Sequence, residues 1–207
     1  MMIIVKPSPA LYLAIQKRLN EMGKGDYAKE VMRKAIRETA KETKERIHSA
    51  TKETYTIKTS SFKKSNIKVT NPTKNQLRAI IEIESGPLSL RKSYQNRKNG
   101  KRKGASAMIK VGGSMKELSI VSGGHNYKAF VTEMQSGHEG IFQRVPGEYM
   151  KKYPRTRGRK GREKIQEILS MSRAKAAEIV YKEKVASDMQ GELSYRLHKH
   201  MNAMMGG

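Results

Sequence analysis

The side chains best placed to do chemistry in this chain are cations, and they fall in two tracts. Arg91 to Lys103 holds seven basic residues and no acid in thirteen positions: Arg91, Lys92, Arg97, Lys98, Lys101, Arg102 and Lys103. Tyr149 to Gly161 is the second tract, with Lys151, Lys152, Arg155, Arg157, Arg159 and Lys160. Cations at this density attract polyanions, either nucleic-acid phosphates or the carboxylates of an acidic protein face. Release of counterions then makes contact steeply salt-dependent. These thirteen side chains are the candidate contacts. A solvated loop whose charge only maintains solubility is the plainer alternative. The chain has no zinc finger, basic zipper or RNA-recognition aromatic motif, and Tyr94 is the one aromatic inside the first tract. Any contact with nucleic acid is therefore expected to ignore base sequence.

Groups able to do bond chemistry are sparse. There is no Gly-x-x-x-x-Gly-Lys-[Ser/Thr] loop, no His-Glu-x-x-His and no Gly-x-Ser-x-Gly. Zero cysteines exclude a disulfide framework, thiolate metal sites and a cysteine nucleophile. Five histidines remain: His48, His125, His138, His198 and His200. His198 and His200 are two apart in a predicted helix, where they project to different faces, so they read as exposed tail histidines rather than a metal pair. Glu133 and Glu139 flank a turn and read as partners for surrounding Lys and Arg. Gly123-Gly124-His125 and Gly137-His138-Glu139-Gly140 read as turns that need positive φ. The expectation is a non-enzyme with no catalytic residue, no metal and no cofactor.

The elements that must position the cations come next. Lys and Arg number 43 against 19 Asp and Glu, a formal charge of +24 over 207 residues. The charge is uneven: +9 over residues 1–85, +14 over 86–164 and +1 over 165–207. Only 36% of residues are apolar and 6% aromatic, with no Trp. Such a chain is expected to build a small core and to finish its burial against partner subunits. The run Met1-Met2-Ile3-Ile4-Val5 ends at Lys6-Pro7, far short of the ~20 residues that span a bilayer. With no basic segment before it and no cleavage site after it, it does not read as a secretory signal. A soluble protein, or part of a soluble assembly, with no membrane partner is expected.

Spacing predicts a helix from Ala10 to Met22, opened by Ser8-Pro9 and broken at Gly23-Lys24-Gly25. Asp26 reads as the N-cap of a long helix to about Thr54. That helix carries one narrow stripe: Ala28, Val31, Met32, Ala35, Ile36, Thr39, Ala40, Thr43, Ile47 and Ala50. A short helix is expected near Ser61–Ser65, then strands at Ile67–Thr70, Leu77–Glu84, Ala107–Val111, Leu118–Val121 and Ala129–Met134. Residues 91–103 read as a mobile hairpin tip or arm. A helical segment is expected from about Glu163 to Ser170, and a last helix from about Arg173 to Met204, weakened at Gly191. The whole is an α+β fold: a long N-terminal helix, a small and mostly antiparallel sheet with a basic hairpin arm, and a long C-terminal helix. One domain over 1–207 is expected, divided into N-terminal helices (1–54), a β-rich core with the arm (55–148), a basic loop (149–162) and C-terminal helices (163–207).

One segment carries a resemblance. Ala129-Phe130-Val131-Thr132-Glu133-Met134-Gln135-Ser136-Gly137-His138-Glu139-Gly140-Ile141-Phe142-Gln143-Arg144 resembles the signature of the prophage minor tail protein Z family. The family pattern is a small residue and Phe, then Met-x-Ser-Gly-His-x-Gly-apolar-Phe-x-Arg. Here it falls on Phe130, Met134, Ser136, Gly137, His138, Gly140, Phe142 and Arg144, read as structural residues. The order of the surroundings is similar too: a long helix into Tyr55-Thr56-Ile57-Lys58, Gly86-Pro87-Leu88-Ser89-Leu90 before a basic stretch, and a long amphipathic C-terminal helix. The likeness covers about residues 10–204. Where the family often has Gly-Pro-Ser before its last helix, this chain has Ser170-Met171-Ser172.

The resemblance implies a non-enzymatic virion protein, a tail-completion or neck component that helps join tail to head and allows DNA passage. It implies a ring of copies, six by tail symmetry. The neighbours would be tail terminator, tail tube or head-connector proteins, with non-specific contact to genomic DNA. The place implied is the tail or neck of a phage, prophage or phage-tail-like particle, with host cytoplasm during assembly. The competing reading is a non-specific nucleic-acid-binding protein that acts free of a tail.

Overall fold

Three short strands set the first layer. β1 (Met2–Val5), β2 (Ile67–Thr70) and β3 (Ala79–Ile83) form an antiparallel sheet in the order β1-β3-β2. The register places Ile3 and Val69 on either side of Ile81, Val5 opposite Ala79, and Ile67 opposite Ile83. Because side chains alternate, all of these fall on one face, which is the buried one. The other face carries Lys68 and Glu82, which lie opposite one another across the strands. The computed structural model that gives these pairings describes residues 1–98, 104–158 and 160–205.

The helices that belong with this sheet have legible ends. In α1 (Pro9–Glu21), the Ser8 hydroxyl accepts from the Leu11 amide at 3.2 Å and Pro9 occupies the first turn. Gly23, at φ +68°, closes the helix: the Lys24 amide donates to Leu19 at 2.8 Å and the Gly23 amide to Asn20 at 2.9 Å. That is the bonding pattern of a Schellman cap. A 3₁₀ turn at Gly25–Tyr27 precedes α2 (Ala28–Thr54). Asp26 lies in that turn, so the helix starts one residue later than the capping argument predicts. The buried stripe of α2 is the expected one with three changes: Ala50 is only half-buried, and His48 and Thr51 are buried. The His48 ring stacks on Phe62 with centroids 5.5 Å apart, and Thr51 donates to the Ile47 carbonyl at 2.6 Å.

The C-terminal helix is continuous but changes pitch. α4 (Arg173–Val180) passes through a π turn at Tyr181–Val185 into α5 (Ala186–Met205). Buried positions run Ala174, Ala177, Val180, then Val185, Met189, Leu193, Leu197 and Met201. The five-residue step from Val180 to Val185 carries the buried stripe through the π turn. The irregularity therefore sits there and not at Gly191, which is exposed. Arg46 on α2 reaches Asp188 on α5 at 3.4 Å, while Glu38 meets Arg196 and His200 at 3.4 and 3.0 Å, so the two helices run antiparallel. Met1–Thr51, Phe62–Gly86 and Arg173–Gly207 make up this first compact unit.

The second unit is Lys52–Ser61 with Pro87–Ser172, and it is mostly β. β4 (Leu88–Ser89) leads into one turn of helix, α3 (Leu90–Ser93), then β5 (Gln95–Lys98), β6 (Ala105–Met108) and β7 (Lys116–Glu117) in one sheet. β8 (Ser119–Ser122) and β9 (His125–Lys128) form a hairpin whose two turn glycines, Gly123 and Gly124, both have positive φ, as a two-residue hairpin loop requires. β10 (Phe130–Glu133), β11 (Glu139–Tyr149) and β12 (Glu163–Glu167) form a third sheet, and β13 (Leu169–Ser170) pairs with β4. Tyr55, Ile57, Leu90, Tyr94, Ile141 and Phe142 are among its buried side chains.

The architecture is α+β with long helices at 28–54 and 173–205, as the patterns predict. Four local expectations change. Residues 163–167 are a strand, because Glu163, Ile165 and Glu167 are half-buried while Lys164 and Gln166 are exposed, a period of two that pairs with β11. Residues 61–65 supply only the start of a 3₁₀ turn at Lys64–Asn66. The 107–111 strand slides back to 105–108, where small Ala105, Ser106 and Ala107 are buried and Val111 is left exposed in a turn. In the predicted arm, residues 91–98 are held in place: Tyr94 is fully buried, and the Asn96 amide nitrogen lies 2.8–3.0 Å from the carbonyls of Leu90, Arg91 and Tyr94.

Candidate nucleic-acid interface

The first basic tract divides by what its cations touch. Arg91 turns inward: its Nε and Nη2 donate to Glu139 Oε1 at 3.1 and 2.9 Å, and its Nη1 donates to Asn96 Oδ1 at 2.8 Å. A guanidinium committed to this fork is an internal tie between α3 and β11. Lys92, Arg97 and Lys98 are exposed, and none is in an ion pair among the described residues. Arg97 and Lys98 are neighbours on β5, opposite Ser106 and Ala105, so they project from opposite faces of the sheet. Lys101, Arg102 and Lys103 lie outside the described residues.

The second tract connects β11 to β12. Lys151, Lys152, Arg155, Arg157 and Lys160 are all exposed, and Arg159 lies outside the described residues. The segment is not a free loop. The Met150 amide donates to Arg162 at 2.8 Å, the Arg162 amide to Tyr153 at 3.0 Å, and the Tyr153 amide to Met150 at 2.9 Å. Lys152 Nζ lies 5.8 Å from the Tyr153 ring centre and the Arg162 guanidinium 4.4 Å from it, both within cation–π range. Arg162 is thus a further exposed cation of this surface, missed because it stands just beyond the run of glycines and prolines that marks the tract.

The 129–144 motif folds as the β10–β11 hairpin. Phe130 pairs with Phe142 and Glu133 with Glu139. The Gly137 amide donates to Met134 at 2.8 Å, with Gly137 at φ +77°, and the Met134 amide donates to His138 at 2.9 Å. This is a type I turn followed by a left-handed residue, where a side chain would be strained. His138 Nε2 lies 2.9 Å from Glu167 Oε2 on β12, and Ser89 Oγ donates to Glu167 Oε1 at 2.7 Å. A Cβ on Gly140 would come within 2.8 Å of the Phe142 ring and 3.0 Å of Glu167 Oε1. Arg144 places its guanidinium 5.9 Å from the Phe130 ring centre, while Ser136 is exposed at the turn. Neither Glu167 nor Ser89 is visible as a partner in the sequence, since they stand 29 and 78 positions from the groups they meet.

The His138–Glu167–Ser89 chain has the carboxylate in the middle, so the imidazole does not touch the hydroxyl. A nucleophile needs its base beside it, and this order supplies none. His198 Nδ1 faces the Ser194 carbonyl at 2.8 Å, whereas His200 meets Glu38 at 3.0 Å. The two histidines therefore go to separate partners, and His200 is drawn into the helix pairing instead of hanging on a tail. Among the described residues there is no group of three or more His, Asp or Glu positioned to hold a metal. Among them, too, no helix is long and apolar enough to cross a membrane. Comparisons of the chain with protein-family models, with curated proteins and with solved structures each find no match.

Proposed function

We propose that this chain is a structural tail-completion component of a tailed phage, prophage or phage-tail-like particle. It acts in the neck, where it helps join tail to head and lets DNA pass. It works as a ring of copies, six by tail symmetry, against tail terminator, tail tube or head-connector proteins. The observation that carries this reading is the 129–144 hairpin. Three of the residues that bear the likeness to the minor tail protein Z signature have a defined job there: the left-handed Gly137, the close-packed Gly140, and His138 tied to Glu167. Two long helices beside small sheets support it, as do large apolar side chains left exposed, Leu13 at 63%, Val121 at 72% and Tyr195 at 63% among them. Surfaces of that kind suit contact with other subunits.

Light scattering on the purified protein, with and without DNA at low and moderate salt, tests the reading. A discrete ring that forms without DNA is the expected result. A monomer that associates only on DNA would overturn it in favour of the second reading, a non-specific nucleic-acid-binding protein free of a tail. The exposed cations at 151–160 favour that alternative, since none forms an ion pair with a carboxylate among the described residues.

A further inference from the structure

The return from β11 to β12 makes a cleft. Between Arg144 and Tyr149 the register with β12 shifts: five steps on β11 match only the two from Ile165 to Glu163. β11 thus carries three residues more than β12 over this stretch, and just beyond it the Met150 amide donates to the Arg162 carbonyl. The resulting hollow is about 390 Å³ and is lined by Arg144, Arg155, Lys160 and Arg162, with Tyr149 and Gly161 in its wall and Glu163 as its one acid. At ~30 Å³ per water it holds roughly a dozen, room for a hydrated phosphate group.

Three features make it a built site. Arg155 Nη1 lies 3.5 Å from the Tyr149 hydroxyl, and Arg162 is stacked 4.4 Å over Tyr153, so two of the guanidiniums have fixed neighbours. None of the four cations is in an ion pair among the described residues, although ion pairs form close by: Glu148 is held by Lys164 at 3.0 Å. Gly161 is a steric requirement. A Cβ there would lie 2.5 Å from the Arg155 nitrogen, 2.6 Å from the Tyr149 ring and 2.8 Å from the Arg155 Cα, mostly unyielding backbone. The loop can therefore close, and bring Arg155 beside Arg162, only with glycine at this position.

We infer that this cleft binds a phosphate group of a nucleic-acid backbone, with Arg144, Arg155, Lys160 and Arg162 as its ligands. Guanidinium forks match phosphate oxygens in pairs, and four cations lining one hollow with Glu163 as its single acid leave an excess of positive charge for an anion to meet. A polymer is favoured over a single anion because Lys151, Lys152 and Arg157 continue the exposed positive row beyond the cleft. A backbone with regularly spaced charges can follow such a row. The inference rests on the DNA-facing part of the proposed function and needs no tail partner.

The test compares four full-length proteins for duplex DNA binding by fluorescence anisotropy across a salt series, using two unrelated sequences. Arg155→Gln/Arg162→Gln removes two ligands. Gly161→Ala alters no charge. Lys41→Gln/Lys199→Gln removes two exposed cations from the helices as a charge-matched control. The cleft double variant should lose roughly tenfold or more in affinity on both sequences, with a salt slope smaller by about two phosphates. Gly161→Ala should lose about fivefold at unchanged net charge, and the control less than about twofold. Circular dichroism checks that each variant is folded, and the double variant carries the test if Gly161→Ala is not. Equal losses in the cleft and control variants would overturn the site and leave only a diffuse field. Failure of the wild type to bind DNA at low salt would also overturn it, even if light scattering shows a ring. Calorimetry with inorganic phosphate alone should give no saturable heat. Saturable heat there, with DNA affinity indifferent to the cleft, would assign the cleft to free phosphate and overturn it as a backbone site. Poly-glutamate binding with the same dependence on the cleft would assign it to acidic protein instead.

Discussion

Replacing Glu167 should loosen the 134–138 turn, which lies on a different strand pair of the same sheet. Glu167 accepts from Ser89 at 2.7 Å and meets His138 at 2.9 Å, with its side chain 21% exposed and that of His138 35% exposed. A hydrogen bond to a charged group contributes about 1.5–3 kcal/mol when buried. Half-exposure reduces that, and truncation leaves two polar partners to find water. Glu167→Ala should therefore cost about 2 kcal/mol locally, and Glu167→Gln about half as much, because it keeps the shape and one acceptor. Hydrogen exchange read by mass spectrometry on the peptide spanning 134–138 is the appropriate assay, since two compact units need not unfold together. A loss of about 2 kcal/mol appears as exchange roughly thirtyfold faster at the Met134 and Gly137 amides, both of which are bonded inside this turn. Combining Glu167→Ala with His138→Ala should be non-additive by about 0.5–1.5 kcal/mol, as groups in contact are. Strict additivity, or exchange less than about threefold faster in Glu167→Ala, would refute the claim that this carboxylate fastens the hairpin.

Other outcomes follow from burial and backbone geometry. Ile81 is fully buried at the centre of the β1-β3-β2 ladder, so Ile81→Ala should cost about 2–5 kcal/mol, measured as a lower urea midpoint for the first unit. Burial pushes the Tyr94 phenol above its ordinary range. The stability this gives is fully present below the unfolded tyrosine value and is lost as pH rises through the folded one. Of nine tyrosines, Tyr94 and Tyr181, which burial also raises, should therefore titrate late in an ultraviolet phenolate titration, and Tyr94→Phe should shrink that late step without abolishing it. Arg97→Gln/Lys98→Gln should flatten the salt slope of DNA binding by at most two phosphates, whereas Arg91→Gln should chiefly destabilise, because its guanidinium is already occupied by Glu139.

What was legible in the sequence was whatever repeats locally. The stripe on α2, the Ser8-Pro9 start, the Gly23 stop and the alternation at 67–70 and 77–84 each fix an element from neighbours a few residues away, and each element stands there, the last trimmed to 79–83. By spacing alone the 163–167 segment reads as a helix, because Ile165, Ile168 and Leu169 fit a helix face as well as a strand. Its pairing with β11 settles the matter, and that partner is some twenty residues distant. β1 went unassigned because four apolar residues beside Pro7 carry no period, and only β3, some eighty residues on, gives them an edge to join. The π turn shows only in which side chains are buried, as a five-residue step from Val180 to Val185, because a count of fours and threes passes over it. For the candidate surface, the sequence located the cations of 151–160 and could not show Arg144 and Arg162 beside them, because a strand register shift brings them together.

Total charge is a poor guide to where this protein attracts an anion, and the pairing of its cations is a better one. On the long helices several basic residues are spoken for: Lys34 with Glu30, Arg46 with Glu42 and Asp188, Lys182 with Glu178, Arg196 with Glu192 and Glu38, while Lys41 and Lys199 stay exposed on separate helices. Hydrogen bonds from Lys182 and Lys175, in that order, hold the Glu178 carboxyl below its ordinary range, and the Lys34 hydrogen bond does the same for Glu30. Those pairs are exposed and individually weak, but each leaves little field for a ligand to use. In the second unit, Arg91 is likewise silenced by Glu139 and Lys128 by Glu117. The turn from β11 to β12 is different. Its acids are few, Glu148 is taken by Lys164, and four cations line one hollow whose single acid is Glu163. An excess of positive charge spread over 207 residues would bind any polyanion loosely. A cluster of four cations against one acid, in a loop that only glycine lets close, gives that excess a place to act.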